Sequence, residues 1–332
     1  MEVLTMLKYK RTFTALFLLL CILLCSVPAF AAGAVDVTKD VSLTIRYRDG
    51  GAPVEGVRLQ LYYVATIDAY AAFSLTGDFK DYPVRVNDLD SDAWRALAET
   101  LAGYVQRDDL PPLDSAKTDG NGVAVFPSQQ RRLSPGLYLV MAEPHSAGDY
   151  TYVTEPFLVS LPNLAGSDTW QYDLSAAPKY TRTDNPPDQP QDETVDRKAL
   201  KVWDEDGASE ARPKEITVQL LKDGEVFDTV QLNAGCEWGH LWTDLPKYEN
   251  GRLIVWRVVE QRVEDYTVSV TQEGITFVVT NTHDRPKNPP EQPPENPPEK
   301  LPQTGVLWWP VPVLAAVGLA FLVAGTLLKK RS

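Results

Sequence analysis

The chain has 332 residues, of which 44% are hydrophobic and 23% charged, and its formal net charge is −13 at pH 7. A chain of this length can hold two domains of ordinary size. Its acidic balance argues against nucleic acid and anionic lipid as partners.

Residues 1–31 have the pattern of a secretory signal peptide. Basic residues precede an apolar stretch over 15–27, and the small residues Ala29 and Ala31 suit a signal peptidase. We therefore expect a secreted protein whose mature chain begins at Ala32. Of the three cysteines only one would remain, so no intramolecular disulfide is expected.

Residues 32–180 predict a first β domain that contains one helix. Alternating apolar and polar residues over 42–47 and 57–62, and again over 123–126, are typical of strands. Residues 91–102 differ, because their apolar side chains recur at helical spacing after a capping candidate.

A second β domain is predicted over residues 196–284, after a Pro-rich linker at 181–195. It contains alternating runs at 216–220 and 226–230, on either side of a turn. Both segments are long enough for a β-sandwich core. The predicted fold is therefore mainly β, with two tandem sandwich domains.

Residues 285–300 contain three tandem copies of a unit that ends in Pro-Pro-Glu. Such a repeat favours polyproline II, which would make a stiff stalk of about 50 Å. A ligand for a Pro-recognising domain is the competing interpretation. We favour the stalk, because the segment directly precedes the motif described next.

The C-terminal segment combines a pentapeptide, an apolar run and a basic tail. The pentapeptide is Leu301, Pro302, Gln303, Thr304 and Gly305. The run at 306–328 would cover about 34 Å as a transmembrane helix, with the basic residues 329–332 left in the cytoplasm. This order resembles the LPxTG sorting signal of Gram-positive surface proteins. The resemblance implies that a sortase cleaves between Thr304 and Gly305 and transfers the chain to a peptidoglycan precursor. An ordinary single-pass anchor is the alternative.

Two further resemblances concern the domains. The motifs of the second domain include Lys201–Gly207, Ile216–Leu221, Leu245–Tyr248 and Thr280–Thr282, and it resembles a collagen-adhesin B-type (Cna-B) domain. The first domain, through residues 136–140 and 156–162, resembles the N-terminal domain of sortase-assembled pilins. Both resemblances imply immunoglobulin-like β-sandwiches.

The end of the first domain, residues 170–179, resembles the pilin motif WxxxVxVYPK. It departs from that motif at Leu174, Ala176 and Ala177. The resemblance implies that Lys179 accepts the sorting-signal threonine of another pilin subunit. The alternative is an ordinary solvated linker lysine.

The Cna-B resemblance also implies an intramolecular isopeptide bond between Lys201 and Asn281, promoted by Glu260. The strand pattern supports this independently, because period two places Glu260 and Asn281 on the apolar faces of the runs 254–260 and 275–281. Burial favours a neutral amine and a protonated carboxyl, the forms that this reaction needs. Solvent-facing side chains at strand ends are the alternative.

In the first domain no such bond is expected. The corresponding early-strand position falls near Arg46 or Tyr47, and neither residue supplies a primary amine. Lys39 could substitute, but its place near the mature N-terminus is more typical of a solvated tail residue.

No cofactor or metal is predicted. Asp204, Asp206 and Glu215 imitate part of a calcium loop, but the glycine of that loop is misplaced at Gly207. The three histidines lack partners at motif spacing and are expected in turns or on the surface.

The favoured function is that of a structural cell-surface protein, a basal or minor pilus subunit anchored to peptidoglycan. Its partners would be sortase, the peptidoglycan precursor and other pilin subunits. The alternative is a monomeric wall-anchored adhesin that binds a host protein or glycan. A surface enzyme is disfavoured, because the one plausible catalytic set is the single-turnover group of Lys201, Glu260 and Asn281.

Overall fold

The fold is described by a computed structural model over residues 33–164, 169–185, 193–204 and 212–283. These residues belong to one compact unit. Among them, no helix is long and apolar enough to cross a membrane. The predicted signal peptide (1–31), stalk (285–300), sorting motif (301–305), membrane span (306–328) and tail (329–332) lie outside the described residues.

We call residues 33–185 the first lobe. The strands of its described residues are β1 (Ser42–Arg46), β2 (Arg48–Asp49), β3 (Ala52–Pro53), β4 (Arg58–Ile67), β5 (Phe73–Leu75), β6 (Asp114–Lys117), β7 (Val123–Phe126), β8 (Gly136–Ala142), β9 (His145–Ala147), β10 (Tyr150–Thr154), β11 (Phe157–Leu161), β12 (Asp173–Ala176) and β13 (Tyr180–Asp184). Its helix α1 spans Ser91–Arg107, and a short 3-10 helix spans Gly77–Phe79.

Residues 193–283 form the second lobe. Its strands are β14 (Thr194–Asp204), β15 (Glu215–Lys222), β16 (Glu225–Asn233), β17 (Gly239–Pro246), β18 (Tyr248–Glu249), β19 (Arg252–Leu253), β20 (Trp256–Glu260), β21 (Tyr266–Glu273) and β22 (Thr276–His283), with a 3-10 helix at Ala234–Cys236.

Three sheets make up most of the first lobe. They have the strand orders β12-β1-β7, β13-β10-β9 and β11-β8-β4-β5, and β6 also pairs with β4. Leu43 and Ile45 of β1 and Leu59 and Leu61 of β4 are fully buried in the core between sheets. Buried residues alternate with exposed or half-buried ones along β1 and over residues 58–61 of β4, which agrees with the period-two pattern of the sequence.

The second lobe is a two-sheet sandwich. One main sheet has the order β17-β14-β22-β21 and the other β16-β15-β20, while β18 and β19 form a separate two-stranded sheet. The first and last strands of the lobe, β14 and β22, are parallel neighbours, whereas β21 and β22 form an antiparallel hairpin. Apolar side chains from both sheets fill the interior, among them Val218, Leu220 and Val279. The mainly β prediction with one α-helix agrees with the described residues.

Helix α1 begins where the sequence predicts but extends to Arg107, five residues further. The side chain of Asp90 caps it by accepting hydrogen bonds from the backbone N–H groups of Asp92 and Ala93. Its C-terminal half is buried, from Ala96 to Val105 with one half-buried residue, and this burial sustains the helix beyond the predicted end.

Helix α1 also joins the two lobes. Leu97, Leu101 and Val105 belong to the same buried cluster as Val258 and Val270 of the second lobe. The two lobes therefore share one hydrophobic core around this helix, which the tandem-domain prediction did not anticipate.

The segment predicted as a linker is partly strand. Strand β13 extends to Asp184 and pairs with β10, and β14 starts at Thr194. Residues 186–192, between them, lie outside the described residues.

Candidate functional site

The second lobe places Lys201, Glu260 and Asn281 in its interior. Lys201 and Asn281 lie on the parallel neighbours β14 and β22, where Lys201 is opposite Val279 and Asn281 is opposite Trp203. Glu260 is the last residue of β20, which belongs to the other sheet. Two sheets thus contribute to one site across the sandwich.

All three side chains are removed from solvent. Lys201 is 4% exposed, Glu260 2% and Asn281 0%. The Lys201 Nζ atom lies 3.6 Å from Glu260 Oε1. It donates hydrogen bonds to the backbone carbonyls of Val202 and Val279 at 3.0 and 3.2 Å, and it sits 4.3 Å from the ring centre of Trp203.

Burial changes the acid–base properties of Glu260. Desolvation raises the pKa of its carboxyl to about 7, although the charge of Lys201 and the amide of Asn281 act in the opposite direction. At neutral pH a substantial fraction of Glu260 therefore carries a proton. Removing a primary amine from water likewise disfavours its protonated form.

Several polar atoms of the site lack hydrogen bonds. Within the described residues, neither Glu260 Oε1 nor the Oδ1 and Nδ2 atoms of Asn281 have a partner in hydrogen-bonding geometry. The Asn281 amide is near enough to affect the Glu260 carboxyl but is not aligned with it. Unpaired polar atoms are costly in a core and are expected where a site serves chemistry rather than stability.

Helix α1 reaches the site from the first lobe. The Tyr104 hydroxyl donates a hydrogen bond of 3.3 Å to the backbone carbonyl of Glu260. Next to it, the backbone N–H of Val270 donates to Thr100 Oγ1 at 2.8 Å. Sequence patterns did not identify Tyr104 or Thr100, because nothing in the periodicity of a helix says which surface it covers.

Lys179 lies on the surface of the first lobe and is not part of the buried group of Lys201, Glu260 and Asn281. It is exposed and follows the buried Pro178, between the end of β12 and the start of β13. Its backbone carbonyl accepts a hydrogen bond of 3.0 Å from the backbone N–H of Glu155. Lys179 lines a cleft of about 780 Å³ whose other walls include Arg95 of α1 and Glu273 of β21. The predicted change from first domain to linker after residue 180 is not seen here, because β13 follows Lys179 directly and pairs with β10.

In the first lobe, Tyr47 follows β1 and is fully buried. Its hydroxyl lies 3.0 Å from Thr154 Oγ1, and its ring stacks on that of Tyr180. Arg46 is exposed, and the Lys39 amine sits over the ring of Tyr172 at 4.3 Å.

The remaining candidates divide between described and undescribed residues. Asp204 ends β14 and Glu215 begins β15, while Asp206 lies outside the described residues. His240 packs against Trp242, and His283 against Tyr266.

Comparison with known proteins supports this description of the second lobe. Residues 197–282 match the family model of the Cna protein B-type domain. That range contains Lys201, Glu260 and Asn281.

The similarities that cover more of the chain have low sequence identity. The chain is 24% identical over 262 residues to the collagen adhesin of Staphylococcus aureus, which covers 73% of this chain but only 22% of the adhesin. The major pilin SpaD of Corynebacterium diphtheriae is 18% identical, with 75% of this chain and 65% of the pilin covered and a TM-score of 0.28. The SpaB basal pilin of Lactobacillus rhamnosus GG is 15% identical, with 43% and 99% covered and a TM-score of 0.23. The two solved structures, with TM-scores of 0.28 and 0.23, carry no argument about what this chain binds.

Proposed function

We propose that this chain is a structural cell-surface protein, a basal or minor pilus subunit that sortase anchors to peptidoglycan. The sorting motif Leu301–Gly305 and the apolar run after it support the anchoring step. The Cna-B match and the buried site in the second lobe support a load-bearing structural role.

The buried triad is the observation that carries the proposal. The lone pair of a neutral Lys201 Nζ attacks the side-chain carbonyl carbon of Asn281, and the protonated Glu260 carboxyl donates a hydrogen bond to the carbonyl oxygen. Glu260 then accepts a proton from Nζ and delivers one to Nδ2. The carbon–Nδ2 bond breaks, ammonia leaves and an amide joins the two side chains. The reaction is balanced without an oxidant or cofactor.

Intact mass tests this chemistry directly. We expect the ectodomain, residues 32–300, to weigh about 17 Da less than its sequence mass, the loss of one ammonia. Glu260→Ala should restore the full mass and lower the melting temperature. An unshifted mass in the wild type would reject the bond, and a loss twice as large would point to a second bond in the first lobe.

A monomeric wall-anchored adhesin is the second candidate. It is favoured by the similarity to the collagen adhesin, which extends over most of this chain. In that role Lys179 has no covalent partner, and a host protein or glycan is the ligand.

Lys179 separates the two candidates. The side chain is exposed, so a sortase could reach its amine. In cells that express all the pilus genes, Lys179→Arg should abolish a high-molecular-weight ladder in muramidase-released wall protein while the monomer persists. Lys80→Arg, at another exposed lysine of the first lobe, is the matched control. A wild type without any ladder would favour the adhesin.

A further inference from the structure

The surroundings of Glu260 include a residue from the other lobe. Strand β20 is an edge strand of its sheet, so some of its backbone groups need partners from outside that sheet. The Glu260 carbonyl has such a partner in the Tyr104 hydroxyl of α1. The backbone that carries the reactive carboxyl is therefore fixed by the first lobe.

Helix α1 approaches β20 very closely at this point. A Cβ atom built on Gly103 would lie 2.8 Å from Val259 Cγ2. Tyr104 itself is buried, and its ring stacks on Tyr82 with the centroids 4.5 Å apart. Burial and stacking on Tyr82 thus restrict the position of the hydroxyl.

The Tyr104 hydroxyl is also suited to act as a permanent donor. Burial, and secondarily the nearby Glu260 carboxylate, raise the pKa of Tyr104. The phenol therefore remains protonated throughout the pH range in which Glu260 titrates.

We propose that Tyr104 is a positioning residue for the isopeptide reaction, through which the first lobe holds Glu260 in its reactive place. This inference rests on the proposed function. It implies that bond formation in the second lobe follows the docking of α1, so that the cross-link locks a molecule whose two lobes are already assembled.

Substitution of single hydroxyl groups tests the proposal in the full-length chain. Tyr104→Phe keeps the stacked ring but removes the donor to Glu260. Tyr82→Phe removes a hydroxyl from the same stack that is bonded to Asp108 instead. Thr100→Val removes the acceptor for the Val270 N–H. Like Tyr104→Phe, it leaves one backbone group of the second lobe unpaired at the α1 interface, but that group does not belong to Glu260.

The rate of bond formation is the quantity to measure. Cells expressing each full-length variant are pulsed with heavy lysine and chased, and the branched peptide joining Lys201 to Asn281 is quantified against the linear peptides at successive times. We expect Tyr104→Phe to slow branching about tenfold, the effect of one hydrogen bond on a barrier. Tyr82→Phe and Thr100→Val should remain within about twofold of the wild type.

The stability cost of each variant is measured separately in the Lys201→Met background, which cannot form the bond. Tyr104→Phe and Thr100→Val should lower the melting temperature of the wall-released protein by similar amounts, about 4 °C. If Thr100→Val and Tyr104→Phe slow bond formation equally, Tyr104 acts only through the stability of the α1 interface, and the proposal is overturned. An unchanged rate in Tyr104→Phe would overturn it while leaving the bond intact, whereas a wild type without branched peptide would reject the proposed function as well.

Discussion

Glu260 is in contact with both lobes at once. Its carboxyl lies in the interior of the second lobe beside Lys201, and its backbone carbonyl is bonded to Tyr104 of the first. A buried Lys–Glu pair is weak as a stabilising device, because the desolvation of two charges offsets much of their attraction. Burial is better explained by its effect on Glu260, because desolvation favours the protonated carboxyl that the proposed reaction needs.

The raised pKa of Glu260 predicts how stability depends on pH when the bond is absent. In Asn281→Ala the acid remains but loses an amide that lowers its pKa, so its folded pKa is not below the wild-type value of about 7 and exceeds the unfolded value near 4.5. The folded state then binds more protons between these values, so stability falls as pH rises through this window and the loss is complete above it. The predicted loss from pH 4.5 to pH 8 is about 3 kcal/mol.

A second variant isolates this contribution. The free energy of unfolding is measured in urea for Asn281→Ala and for the double variant Asn281→Ala with Glu260→Gln. As the pH rises from 4.5 to 8, the first value should fall relative to the second. Parallel pH profiles for the two proteins would show that Glu260 titrates normally in the folded state.

At the scale of elements, α1 is the part of the molecule that the sequence described least completely. Its apolar spacing predicted a helix with one buried face, and the structure confirms the helix. The pattern could not say that this face is shared between the lobes, because amphipathicity records burial but not the identity of the covering surface. The contacts that make α1 an interlobe element involve residues distant in sequence, such as Thr100 and Val270.

The close approach of α1 to β20 predicts a sensitive position. Gly103→Leu should destabilise the protein by about 2 kcal/mol, because the added side chain meets Val259 where no space exists. Thermal unfolding measures the effect. Arg95→Leu introduces the same side chain on the exposed face of the same helix and should change stability by less than about 0.5 kcal/mol. Similar melting temperatures for the two variants would contradict the close packing.

The candidate site was more predictable than the interlobe contact. Period two along β20 and β22 placed Glu260 and Asn281 among buried residues, and the structure brings both Lys201 and Asn281 near the Glu260 carboxyl. The same rule was wrong for Ile275, which is 46% exposed because β22 begins only at Thr276. Alternation holds within a strand but not in the turn before it.

At the scale of the whole molecule, the proposed anchoring to peptidoglycan depends on residues outside the described structure. We predict that Thr304→Ala leaves uncleaved protein in the membrane fraction, because in the proposed reaction the acyl group that sortase transfers belongs to Thr304. Fractionation and immunoblotting measure the distribution. Thr326→Ala, a similar change within the apolar run, should leave wall attachment unchanged. Normal release of Thr304→Ala protein by muramidase would contradict the assignment.

The parallel pairing of β14 and β22 has a mechanical consequence. A pulling force that enters the second lobe at Thr194 and leaves at His283 acts on opposite ends of two neighbouring strands. The hydrogen bonds between them are then loaded together in shear rather than peeled apart singly. A covalent link between Lys201 and Asn281 would transmit the force directly from one strand to the other. The residues between them, which would measure about 280 Å when fully extended, could then not be pulled out under load.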